Sequence, residues 1–166
     1  AAPSSPQEFK TLIATDYAQF KAFGEVAADG MKKAGLNVDY IATDWGTMLQ
    51  RRNNKGPVDQ GGWSAFITGW EGSDHLDPSN HYAIRGNGDQ PAAWPGWCVS
   101  PKLEALRDAW FAAPDLAAQQ RICRELQEQC MVDVPSIPLG QYVQPTAYRS
   151  SITGVKPGFP TFWGIQ

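Results

Sequence analysis

Two strand-like runs in this chain end in the same way, and that repeat narrows the choice of fold more than any other feature. Phe9 to Ala14 (FKTLIA) is followed by Thr15-Asp16-Tyr17, and Leu36 to Ala42 (LNVDYIA) is followed by Thr43-Asp44-Trp45. After each exit the pattern changes from strand to helix. From Tyr17 to about Ala34, the residues Phe20, Phe23, Ala27, Met31 and Ala34 recur at three- and four-residue spacing, which gives a helix one apolar face, and Gly35 stops it. A shorter helix is expected from Trp45 through about Asn53. A short polar residue at a strand exit can accept hydrogen bonds from the first free amides of the next helix, and a carboxylate suits that helix's positive end. Asn53 to Gly62, rich in Asn, Gly and Pro, reads as a turn, and Ser64 to Trp70 as a third, buried strand. Strand, helix, strand, helix, strand implies right-handed crossovers, parallel strands and carboxyl ends that share one edge. The expected fold class is therefore α/β, a three-layer-like lobe with a mostly parallel sheet flanked by helices.

The third strand delivers the most chemically loaded stretch of the chain. Directly after Trp70 come Glu71, Gly72, Ser73, Asp74, His75 and Asp77, then Pro78. Tyr17, Trp45 and this loop should converge on the carboxyl edge of the sheet, where open α/β sheets bind ligands. An idle surface loop has the same composition, so the loop alone does not decide the matter.

The second half is organised differently. Between Ile84 and Val99 the density of Gly, Pro and Trp excludes a long regular element and suggests an excursion pinned by Trp94 and Trp97. Gly86-Asn87-Gly88 is no phosphate loop, because neither a third glycine nor a lysine follows where one is needed. Ser100-Pro101 is a cap followed by a proline at the first helical position, with Leu103, Leu106, Trp110 and Ala113 as the buried face. Pro114 ends that helix. Asp115 caps the next, whose stripe is Ile122, Leu126 and Cys130, through about Val132. Beyond it Ile137, Leu139, Tyr142 and Val143 suit an extended segment, but prolines at 135, 138 and 145 restrict it to an edge or interrupted strand. Phe159, Phe162 and Trp163 make an aromatic tail that needs a cover.

A chain of 166 residues, 42% hydrophobic and 19% charged, suffices for one core and is too short for two ordinary domains. A net charge of −3 offers no basic field, so nucleic acid is not an expected partner. No apolar run reaches the length of a membrane span, and the opening AAPSSP lacks the pattern of a secretory signal. Cys98, Cys123 and Cys130 are an odd set without a CxxC pair. Cys123 and Cys130 lie about 10 Å apart along one helix, too far to bond, whereas a bridge from Cys98 to either is open. Buried unpaired thiols are the expectation. Asp74, His75, Asp77 and His81 pose a metal-site alternative, weakened by the absence of HExxH spacing. Ser73 and Ser79 lack the glycines of a nucleophile elbow, so a hydrolase is not expected.

The order of several longer stretches adds a resemblance. VAADGMKKAGLNVDYIATDWGTMLQRR, FITGWEGSDHLDP, SPKLEALRDAWFAAPDLAAQQRICRELQEQCMVDVPSIPLGQY and TAYRSSITGV together resemble the C-terminal part of the family 5 extracellular solute-binding proteins. These are the dipeptide, oligopeptide and nickel receptors of bacterial ABC importers. The resemblance implies a periplasmic binding protein type II-like lobe with no enzymatic activity and no cofactor, in a periplasmic or otherwise extracytoplasmic location. It implies as partners a peptide or other small solute, an importer permease, and the missing first lobe of the same receptor. Residues 1–8 would be a disordered lead-in, 9–144 the second lobe, and 145–166 a return segment belonging to the absent lobe. In peptide-binding members an Asp after the third strand's Trp-containing turn anchors the ligand's α-ammonium group, and Asp74 stands in that register. Trp70, Glu71, Gly72 and Ser73 match the stretch beside the ligand, and Tyr17 stands near another contact position. Trp45 and His75 complete the candidate ligand-binding set. Capping of a helix from Pro78 onward is the competing role for Asp74. The nickel receptors are what the resemblance adds to the metal alternative. One lobe alone is expected to bind weakly, since half of the ligand enclosure is missing.

Overall fold

Strand β1 (Glu8–Ala14) is the middle of a three-stranded parallel sheet, between β2 (Asn37–Thr43) and β3 (Ala65–Phe66). These elements come from a computed structural model that describes residues 8–156 together with 164 and 165. Thr11, Leu12, Ile13 and Ala14 are all 0% exposed. Because successive strand side chains point to opposite faces, four buried residues in a row mean that both faces of β1 are covered.

Helix α1 (Ala18–Lys33) comes so close to β1 that a Cβ on Gly24 would sit 2.6 Å from Cγ2 of Ile13. Helix α2 (Trp45–Arg51) contributes Met48, also fully buried. Leu12, Ile13, Phe20, Met48 and Ile67 form the core of this half, with Phe23, Tyr40, Trp45 and Trp63 packed around it.

The expected parallel sheet is present, and its strand order carries a consequence. The chain steps from β1 to β2 on one side, then crosses back over β1 to place β3 on the other. The connections therefore diverge between β1 and β3. At such a switch point the carboxyl ends of adjacent strands open into a crevice.

Three expectations need correction. The apolar run from Ser64 to Trp70 reads as a strand throughout, but only Ala65–Phe66 form β3, and Ile67 alone in the run is buried. The ladder extends by one bond at each end, Ser64 N–H to Lys10 O at 2.8 Å and Ile67 N–H to Leu12 O at 3.0 Å. As an edge strand with one neighbour, β3 can leave the sheet at Gly69. The segment after residue 133 forms neither strand nor helix through residue 149, and Ile137, Leu139, Tyr142 and Val143 are exposed. Its prolines cannot donate to a ladder. The segment instead crosses α1, with the Tyr142 ring 6.1 Å from that of Phe23. Glu8, assigned to the lead-in, opens β1. The rest of that lead-in and the tail aromatics Phe159, Phe162 and Trp163 lie outside the described residues.

Helices α3 (Pro101–Phe111) and α4 (Leu116–Asp133) pack against each other as a hairpin. Ser100 Oγ accepts from Leu103 N–H and Asp115 Oδ1 accepts from Ala118 N–H, the two expected caps. Leu103, Ala118 and Leu126 are buried, while Leu106 and Trp110 are only partly covered. Arg107 takes an inward position that the apolar spacing did not indicate. Its Nη1 donates to Glu104 at 2.8 Å and its Nε to the Pro78 carbonyl at 3.3 Å, which ties α3 to the loop after β3. Among the described residues no helix is long and apolar enough to cross a membrane.

Candidate ligand-binding site

The two Thr-Asp-aromatic exits do not act as a pair of equivalent caps. Asp44 behaves as expected, its Oδ1 accepting from Thr47 N–H at 2.9 Å. Those hydrogen bonds hold its carboxyl below the usual range. Asp16 makes no cap on α1, which has no side-chain cap at all. Both of its carboxylate oxygens instead accept from Trp45 N–H, at 3.0 and 3.1 Å. The exits of β1 and β2 are thus fastened together, with both carboxylates at the positive end of α2. Tyr17 and Trp45 consequently meet, ring centroids 5.8 Å apart, with Phe20 at 5.5 and 5.1 Å from them.

Phe20 also joins this cluster to the exit of β3. A Cβ on Gly69 would lie 2.6 Å from the Phe20 ring, so only glycine lets the strand pass so near before Trp70. Trp70 then turns into a second aromatic group. Its ring stacks parallel to Tyr82 at 6.0 Å, lies 4.5 Å from Trp94, and is 6.0 Å from His75.

Trp70, Tyr82 and Trp94, with Arg52, Asn53, Ala92, Ala93 and Pro95, line an open cleft of about 320 Å³. That volume lies at the lower end of the range for small-ligand sites. Arg52 places its guanidinium 4.8 Å above the Trp94 ring. Its Nε is buried with no hydrogen-bond partner among the described residues, and burial lowers its pKa. The wall is held by Arg85, which donates to the Ala92 carbonyl at 3.0 Å and lies over the Tyr82 ring. Trp63 supports it from behind, packed on Phe66 and Trp97 with its indole N–H on the Arg52 carbonyl. Trp94 and Trp97 do pin the excursion as expected, and Ala92 and Trp97 take left-handed backbone angles to do so.

Glu71 to His75 follow as a short 3-10 turn spanning Gly72–His75. The Asp74 amide bonds to the Glu71 carbonyl, whereas no side-chain hydrogen bond or ion pair among the described residues engages its carboxylate. The competing capping role falls to Asp77, which accepts from both the amide and the hydroxyl of Ser79. No α-helix starts at Pro78 for Asp74 to cap; the next α-helix of the described residues is α3 at Pro101.

The four side chains of the metal alternative do not assemble. His75 and His81 stack face to face at 4.3 Å, an arrangement that does not aim two ring nitrogens at one ion, and Asp77 is committed to Ser79. Among the described residues no group of three or more His, Cys, Asp or Glu side chains is placed to hold a metal. Burial, and then the charge of His75, pushes His81 down to about 4.

Of the eight sequence candidates, Tyr17 and Trp45 form one cluster, Trp70 and His75 belong to the other, and Glu71 to Asp74 form the turn that follows Trp70. Arg52, Tyr82 and Trp94 were not among them. They come from three separate segments, and only the unusual density of Trp around residue 94 hinted at one of them.

The chain is 34% identical over 156 residues to a probable peptide ABC transporter periplasmic-binding protein of Sinorhizobium fredii. The match covers 93% of this chain and 29% of that protein. This chain is similar to part of a periplasmic solute-binding protein. No family model matches it. Among solved structures, a dipeptide-binding protein from Pseudoalteromonas sp. SM9913 in complex with Met-Leu superposes with a TM-score of 0.52 at 12% identity. It covers 77% of this chain and 25% of its own, and shows a shared fold. The two matches fit the expectation of a fragment of a family 5 binding protein with a type II-like lobe.

Proposed function

We propose that this chain is the ligand-binding part of the second lobe of a periplasmic receptor that delivers peptides to an ABC importer, without enzymatic activity of its own. The observation that carries the reading is the aromatic cleft beside a turn whose Asp74 carboxylate has no partner among the described residues, at the carboxyl edge of the sheet. The peptide-transport name of the Sinorhizobium relative supports the same reading. A peptide with free ends is a zwitterion with an apolar middle. Asp74 is assigned to its ammonium group and the Arg52 guanidinium that lines the cleft to its carboxylate, while Trp70, Tyr82 and Trp94 receive a side chain. Tyr17, Trp45, Glu71, Gly72, Ser73 and His75 complete the proposed contact set.

In this reading residues 9–144 belong to the second lobe and 145–166 return to the first, which with the permease completes the list of partners. The exposed run of Ile137, Leu139, Tyr142 and Val143 has the character of a surface normally covered. The isolated chain is expected to bind weakly, because a lobe without its partner encloses half of the ligand. Micromolar affinity for a peptide by this chain alone would contradict that.

Calorimetry on the full-length receptor tests the assignment with a dipeptide, its N-acetylated form and its C-terminal amide. Loss of binding heat for both blocked forms is expected, as is loss for Asp74→Asn with the unmodified dipeptide. Unchanged affinity for the N-acetyl form would remove Asp74 from the site.

A further inference from the structure

We infer that Cys98 and Cys130 form an intramolecular disulfide in the native fold when a disulfide oxidant is present, leaving Cys123 as the free thiol. All three cysteines are thiols here and half-buried. The inference stands on the register between the segment entering α3 and the last turns of α4.

Residues 98–100 are extended. Val99 bridges Asn87 in antiparallel fashion, with Gly88 N–H on the Cys98 carbonyl at 2.8 Å and Ser100 N–H on the Gly86 carbonyl at 2.9 Å. In such a segment the side chains of Cys98 and Ser100 point to the same side, separated by about 6.6 Å. On α4, Cys130 and Asp133 are three residues apart, hence on one face and about 4.5 Å apart along the axis. The second residues of these two pairs are joined directly: Ser100 Oγ donates to Asp133 Oδ2 at 2.6 Å. That contact holds the entry to α3 against the last turn of α4, and Cys98 and Cys130 each lie one short step along the chain from it. A disulfide needs Cα atoms roughly 4.4–6.8 Å apart, within reach of that arrangement.

One further observation agrees. Burial raises both thiols, the Asp133 carboxylate raises both further, and the charge of Cys98 acts on Cys130 in turn. Cys123 is two helical turns away from Cys130, so it does not share the Asp133 end of the helix.

The chemistry is thiol–disulfide exchange with a small-molecule or protein disulfide as oxidant. The thiolate of one cysteine attacks the oxidant and expels one thiolate from it. The second cysteine then attacks the mixed disulfide at the protein sulfur and expels the other. Two cysteine thiols and one oxidant disulfide become one protein disulfide and two oxidant thiols, so the cysteines lose two electrons and the oxidant gains them. Disulfides persist in oxidising compartments, of which the periplasm is one. The bond would tie the excursion carrying Trp94 and Trp97, the cleft wall, to α4. It goes beyond the peptide-binding reading and would stand if that reading failed.

The test exposes the purified, reduced chain in its native state to oxidised glutathione at a pH of about 8.5. Thiols are then counted, and the unreduced, alkylated protein is mapped by mass spectrometry. Loss of two of the three thiols per monomer is expected, with a peptide pair linking Cys98 to Cys130 and an alkylated Cys123. Cys123→Ser should oxidise at the wild-type rate, whereas Cys130→Ser should give no internal link. A Cys98–Cys123 link, disulfide-bonded dimers, or glutathione adducts that never resolve to an internal bond would each overturn the inference.

Discussion

Replacing Gly24 and Gly30 by alanine, one at a time, should stabilise the chain only at Gly30 although both residues lie in α1. In an exposed helix interior glycine costs about 1 kcal/mol relative to alanine, because it has more backbone freedom to lose. At Gly30 nothing lies within 4 Å of an added Cβ, so Gly30→Ala should stabilise the chain by about 1 kcal/mol. At Gly24 the same methyl group would meet Cγ2, Cγ1 and Cδ1 of Ile13 at 2.6, 3.0 and 3.1 Å. Ile13 is 0% exposed and cannot swing into solvent. Overpacking of this kind costs about 1–3 kcal/mol, which cancels or exceeds the helical gain. The two variants should therefore differ by about 1–3 kcal/mol in urea unfolding followed by tryptophan fluorescence. A double-mutant cycle supplies the cause. In an Ile13→Ala background, Gly24→Ala should become favourable, because its methyl group enters the space left behind. Equal stabilisation by the two single substitutions would refute the close approach of α1 to β1, and with it the placement of Tyr17 at the strand's exit.

Other perturbations probe separate parts of the structure. Leu103→Ala removes a fully buried side chain between α3 and α4 and should lower unfolding free energy by about 2–5 kcal/mol in the same assay. Asp16→Ala removes both acceptors of the Trp45 amide and should cost about 1 kcal/mol, also shifting the near-ultraviolet circular dichroism of the Tyr17–Trp45 pair. His81 supplies a pH dependence of defined sign. Its folded pKa of about 4 lies below the ordinary 6.5, so the stability tied to its neutral form is complete above pH 6.5 and is lost as pH falls toward 4. The loss should be on the order of 2 kcal/mol, after allowance for the part of the ring still in water, and His81→Gln should flatten that window. The lowered carboxyls of Asp44, Asp77 and Asp133 act separately, below their ordinary 3.8.

What could be read from the sequence was whatever depends on neighbours in the chain. The stop at Gly35 and the caps at Asp44, Ser100 and Asp115 are local chemistry, and each appears where expected. The apolar face of α1 holds at Phe20, Phe23, Ala27 and Met31, but Gly24 and Ala28 are its other buried positions and Ala34 is exposed. The parallel sheet followed from the alternation of elements. Features set by distant partners were hidden. Asp16 carries the same local motif as Asp44, yet its carboxylate finds Trp45, 29 residues away, because β1 and β2 are paired. Arg107 falls on the apolar stripe of α3 because Glu104 and the Pro78 carbonyl satisfy it there. The cleft was half legible. Trp70 and the turn after it were singled out by composition, but Arg52, Tyr82 and Trp94 meet only in three dimensions. The third strand is shorter than its apolar run indicates, since an apolar run at the edge of a sheet looks the same in sequence as one at its centre.

The most direct test of the peptide-receptor reading is native mass spectrometry of the full-length receptor, purified without denaturation from its own periplasm, alongside an Asp74→Ala version. Wild-type protein is expected to carry masses that dissociate as peptides with free amino ends, and the variant to be empty. A wild-type receptor holding a non-peptide ligand would contradict the proposed substrate, and peptides retained by the variant would contradict the role given to Asp74.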